Sequence, residues 1–145
     1  MQNRRVGQSV QQSATEALGH FIRRTLGCRC PDEVFSSIDI RPLPAPRGNP
    51  PCVRLEVGKR LLVYVIAAGT ASDLPALVAG LTTAGRADRD AGGLNRLRLV
   101  LHSASGNPEE RRSAEEAFVQ TSRGDDRTHL HWISSDALPP QLAAD

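Results

Sequence analysis

Apolar residues recur along this chain in distinct rhythms, and each rhythm predicts an element. Leu18, Phe21, Ile22, Thr25 and Leu26 fall three and four apart, the spacing of one helix face, behind an S-x-x-E capping box at Ser13 and Glu16. Gly27 is placed to end that helix in the left-handed conformation. Residues 52–57 alternate between apolar and polar, Gly58 and Lys59 turn, and Arg60–Ala68 is almost continuously apolar. This pattern predicts an antiparallel hairpin whose second strand is covered on both faces. Leu74, Leu77, Val78 and Leu81 return to helical spacing behind a Ser72 cap, and Leu97–Leu101 predicts another strand. Asn107 and Pro108 open a helix with Ala114, Ala117 and Phe118 inward, and Leu130–Ile133 predicts a last short strand.

The intervals are less regular. Cys30 and Pro31 start a short second helix carrying Val34, Phe35 and Ile38, while Ile38 and Ile40 only hint at alternation. Five prolines between Pro42 and Pro51 make a stiff loop, and the charged, glycine-rich residues 85–95 suggest an exposed one. The expectation is an α/β fold in a single domain, residues 13–136. Its sheet is mixed and mostly parallel, with an N-terminal helix pair, an antiparallel hairpin whose first strand lies at an edge, and two strand-helix-strand crossovers. Residues 1–12 are expected as a flexible arm and 137–145 as a flexible tail. The pattern does not set the strand order.

Composition narrows the classes. Hydrophobic residues make up 39% of the chain and aromatic ones 3%, so the core must be built from Leu, Val, Ile and Ala. The net charge of +2 argues against nucleic acid as a partner, although residues 1–60 hold ten basic and five acidic side chains. Seventeen of the eighteen basic residues are Arg, Lys59 being the exception, which suits bidentate capture of oxyanions and also follows from a GC-rich coding sequence. The longest apolar run, Leu61–Ala68, has eight residues, against the ~18 of a membrane span. The first twenty residues lack a signal-peptide core, so a cytoplasmic location with reduced thiols and no membrane partner is expected.

The candidate chemistry centres on Cys28 and Cys30, at the junction between the two N-terminal helices. A helix N-terminus with Arg23, Arg24 and Arg29 nearby favours a thiolate, while Asp32 and Glu33 oppose it. The pair can act in thiol redox chemistry or bind a transition metal through thiolates. Cys52 or His20 could supply a further ligand, and a homodimer sharing the site, or an external thiol, would complete the four that structural zinc requires. The competing reading is small buried residues at a helix junction, and Cys52, at a strand start, suits plain packing.

The segment Thr25–Phe35 resembles the opening of a family of small bacterial and archaeal proteins with a G-C-x-C-P-[DE]-E-V-F signature, followed by a strand hairpin. The resemblance implies that the two cysteines define that family, and it brings no established activity with it.

His129 and His131 share one face of the last strand and offer two imidazoles to a metal, or are simply solvent-facing residues of an edge strand. His102 ends a strand where α/β sheets hold ligands, and Ser103, Ser105 and Asn107 after it either line a polar site or cap the next helix. Gly69 and Thr70 lack the residues of a phosphate loop. Glu56 and Lys59 are spaced one place too far for a metal-dependent nuclease strand. Two functions are therefore expected: a Cys-x-Cys protein of thiol or metal chemistry, or a non-catalytic module that binds another protein and whose cysteines are structural.

Overall fold

The apolar run at Leu61–Ala68 becomes the middle strand of a five-stranded sheet. The computed structural model describes residues 16–27, 37–43 and 50–142. The strands are β1 (Ile38–Leu43), β2 (Cys52–Val57), β3 (Leu61–Ala67), β4 (Arg96–Ser103) and β5 (Thr128–Ser134), and they lie in the sheet in chain order. The helices among the described residues are α1 (residues 16–24), α2 (Leu74–Ala91) and α3 (Pro108–Ser122). The chain is an α/β domain with a mixed sheet. β1–β2 and β2–β3 pair antiparallel, and β3–β4 and β4–β5 pair parallel.

This register explains the layers. α2 joins β3 to the adjacent parallel strand β4, and α3 joins β4 to β5. Right-handed crossovers that step the same way across a sheet put both helices on one face. Leu62, Tyr64, Ile66, Leu97, Leu99 and Leu101 point to that face and pack with Leu74, Leu77, Val78, Ala114 and Ala117. The opposite face is covered by α1, whose Leu18, Phe21 and Ile22 meet Leu55, Val57, Val63, Val65 and Val100. β3 is apolar on both faces because helices cover it on both. Each fully buried Leu or Val contributes roughly 1.5–3 kcal/mol relative to exposure. Gly27 has φ +70°, the left-handed stop expected after α1.

Several expectations change. The sheet is not mostly parallel, because β1 adds a second antiparallel pairing. The first hairpin strand, β2, is not at the edge either, since β1 lies outside it. Ile38 therefore belongs to a strand rather than a helix. Two apolar positions followed by Pro42 gave β1 too short an alternation to register. The second short helix of the expected pair falls on residues 28–36, outside the described residues, as do Ser13 of the capping box and the arm at 1–12. The N-cap of α2 is Asp73, whose side chain accepts from the Ala76 N–H, and not Ser72.

Residues 85–91 are helix rather than loop. Gly85 lets α2 touch the sheet: a Cβ there would lie 2.7 Å from Leu97 Cδ2. The charges that made the segment look solvated are used internally. Asp88 accepts both Arg54 Nε (2.8 Å) and Arg54 Nη2 (3.0 Å), and also Tyr64 OH (2.6 Å), which ties α2 to β2 and β3. Arg89, 2% exposed, donates to Asp125 (2.8 Å) and to Thr128 Oγ1 (2.7 Å), which ties α2 to the start of β5. At the other end of the domain, residues 137–142 return to the sheet: Leu138 packs on the α1 side and Leu142 is fully buried there.

Candidate functional site

Side chains alternate along a strand, so every second residue of β4 and β5 faces α2 and α3. Leu97, Leu99, Leu130 and Trp132 do so. Arg96, Arg98, His129 and His131 therefore project from the other face. Arg98 pairs with His129 in register, yet each guanidinium reaches forward and across to the next imidazole. Arg96 Nη1 lies 3.2 Å from His129 Nε2, and Arg98 Nη1 lies 3.0 Å from His131 Nε2. Arginine can only donate, so each Nε2 accepts and the imidazoles are neutral.

The electrostatics agree. Burial, reinforced by Arg98 and His129, pushes His131 down to about 4. Burial, with Arg98 and Arg96 beside it, also lowers His129. Arg98 is itself held below the usual guanidinium value by burial and by Arg96. Its Nε is buried without a hydrogen-bond partner. Among the described residues, neither Arg96 nor Arg98 meets a carboxylate, whereas Arg54, Arg86 and Arg89 all do. The result is a ledge of two uncompensated positive charges with two neutral imidazoles laid against them.

β5 is an edge strand. Leu97 N–H donates to Arg127 O, and the alternation of a parallel ladder from that bond turns the N–H and C=O of Leu130 and Trp132 away from β4. An open groove of about 460 Å³ follows this free side. Glu115, Phe118 and Val119 of α3 form one wall, and Arg98, His129 and His131 form the other. Val119 is 66% exposed, the more exposed of the two large apolar side chains left open on the described surface.

The start of β5 is fixed from inside. Asp125 accepts from Arg86 Nε (2.9 Å), Arg89 Nη1 (2.8 Å), Thr128 Oγ1 (3.1 Å) and the Arg127 N–H (3.0 Å). Burial alone would raise its carboxyl. The bonds from Arg89, Arg127, Thr128 and Arg86 overcome this and hold it well below the ordinary carboxylate range.

The residues singled out in the sequence are dispersed. Cys28 and Cys30 lie outside the described residues. Cys52 is buried in β2 on the α2–α3 side, and burial pushes its thiol up to about 12. His20 is exposed on α1, beside a second groove that also includes Leu138 and Pro139. The structure brings His129 and His131 together and sets Cys52 on the other face, three strands away. Among the described residues, no three His, Cys, Asp or Glu side chains converge on a point that could hold a metal.

The loop after β4 is occupied by its own contacts. Ser103 Oγ and Ser105 Oγ are 3.0 Å apart, His102 Nδ1 is 3.0 Å from Ser135 Oγ, and Asn107 caps α3 by accepting from Glu109 N–H. Gly58 and Lys59 both take positive φ in the hairpin turn, so Lys59 leaves the strand face that Glu56 occupies. Arg96 and Arg98 escaped the sequence reading. Their signal was available: an Arg-x-Arg pair on one strand and a His-x-His pair on the next strand in the chain.

Among the described residues, no helix is long and apolar enough to cross a membrane. Comparison of the chain with protein-family models, curated proteins and solved structures gives no match.

Proposed function

We propose that this chain is a non-catalytic interaction module that takes up an extended segment of another protein along the free side of β5. The observation that carries this reading is the outer edge of a seven-residue strand, which no strand among the described residues pairs, with a groove beside it. Exposed strand edges accept an added strand through main-chain hydrogen bonds, while flanking pockets select side chains. Val119, Phe118 and Leu130 offer apolar contact, and Leu130 and Trp132 offer the main-chain groups.

Selection from a displayed ten-residue peptide library tests this. Bound peptides are expected to shift the Leu130 and Trp132 amide resonances, to slow their exchange, and to lose binding in Val119→Glu. Val119 is exposed, so that variant keeps the fold. Peptides that leave both amides unchanged, or bind Val119→Glu equally well, would overturn the reading.

A second reading keeps the Cys28/Cys30 pair as a thiol-redox or metal-thiolate element in a cytoplasmic, reducing setting. The left-handed stop at Gly27, immediately before Cys28, favours it, because it starts the cysteine segment at a helix end. Metal analysis of untagged protein together with thiol titration decides the matter. Absence of metal combined with two unreactive thiols would end it.

A further inference from the structure

We propose that the segment received at β5 is acidic, with two carboxylates two positions apart that meet Arg96 and Arg98. This inference rests on the strand-docking reading above and identifies the chemistry of its partner.

Three observations carry it. The first is uncompensated charge. Arg98 is half-buried with an unpartnered Nε, and its nearest cation, Arg96, adds repulsion. Arg54, also partly buried, and the buried Arg89 are each held by a carboxylate. The second is direction. Both guanidiniums reach from β4 to the imidazoles of β5, and Arg96 Nη1 also donates to Asp126 O (3.3 Å), so the two cations lean toward the open edge. The neutral imidazoles supply no countercharge.

The third is spacing. Arg96 and Arg98 repeat every second residue, as do His129 and His131. A strand added about 4.8 Å beyond β5 places its own same-face residues about 7 Å apart, in step with them. Carboxylates at such positions make charge-assisted, forked bonds to guanidinium. Glu115 also borders the groove, but Arg111 holds it at 2.9 Å.

Nucleic acid fits less well. Its single strands need aromatic platforms, and Trp132, the aromatic of β5, faces the opposite side.

The test compares a peptide alternating Glu with Val against its Gln counterpart, with inorganic phosphate and a single-stranded oligonucleotide as further probes. The readouts are affinity, β5 amide shifts and the Nε2 shifts of His129 and His131. The Glu peptide is expected to bind about tenfold more tightly than the Gln peptide, the effect of one net charge-assisted bond. That preference should fall with salt and disappear in Arg96→Gln and Arg98→Gln. Arg96 is exposed, so its variant keeps the fold whatever happens to the other.

Equal affinity for the Glu and Gln peptides, with β5 amides shifting for both, overturns acid recognition and leaves strand docking intact. No amide shift with either peptide removes strand docking and this inference together. An oligonucleotide that binds more tightly than the Glu peptide, or phosphate alone reproducing the imidazole shifts at peptide concentrations, also overturns it.

Discussion

β1 and β5 are the two edge strands of one sheet, and they are finished in different ways. β1 carries Asp39 and Arg41, which pair with each other at 2.7 Å, and Pro42, which has no N–H to offer a newcomer. Charge and proline are the common means of protecting an edge from unwanted pairing. β5 has neither lysine nor proline, and its Thr, Leu, Trp and Ile suit a strand that pairs. Its charge is set back by one strand, on Arg96 and Arg98. An edge closed at the backbone and an edge open at the backbone with a selective ledge behind it are different devices. The contrast is what supports the proposed docking at β5.

The two ends of the sheet are also anchored differently, and substitutions can separate them. Arg89→Ala leaves the Asp125 carboxylate buried with its main partner gone. A loss of about 3–5 kcal/mol in urea unfolding is expected, with β5 amides exchanging before those of β1. A uniform increase across the sheet would show that β5 has no anchor of its own. Tyr64→Phe removes one of the bonds to Asp88 at the β2–β3 end. It should cost about 1–1.5 kcal/mol and leave amide exchange in β5 unchanged.

The ledge should confer a pH dependence. His131 titrates near 4 in the folded protein because burial and Arg98 disfavour its cation, against about 6.5 in an unfolded chain. Between these values the unfolded chain binds more protons, so stability rises with pH across the window. His131→Gln should flatten that slope by roughly 1 kcal/mol or less, given the partial exposure. An unchanged slope would place the imidazole in water. At the guarded edge, Asp39→Ala breaks an ion pair with 44% and 68% exposed side chains. Its thermal stability should change by no more than about 0.5 kcal/mol.

Much of the fold was legible in residue order. Leu61–Ala68 announced a strand covered on both sides, Gly58 and Lys59 announced the hairpin, and Asn107 announced the start of α3. Those signals are local: a continuous apolar run, two residues tolerant of positive φ, and a side chain that reaches its own helix end. Residues 85–91 were misjudged because Arg86, Asp88, Arg89 and Asp90 suggest solvent when considered alone. The partners of Arg86, Asp88 and Arg89, namely Arg54, Tyr64 and Asp125, are distant in sequence, and only packing reveals that these charges are paired. β1 was missed for a related reason, since its pairing with β2 outweighs a weak intrinsic pattern. The candidate site was half legible. The His129–His131 pair was visible as a strand face, but its arginine neighbours belong to another strand and required the register.

The sequence by itself determined that α1, the β2–β3 hairpin, β4, α3 and β5 form and that β3 must be central, because periodicity and turn chemistry act over a few residues. Tertiary structure decided the order of the strands, which edge stays open, and which charges are neutralised. Those outcomes depend on side chains separated by 24 to 39 positions, whose interaction exists only once the sheet has formed.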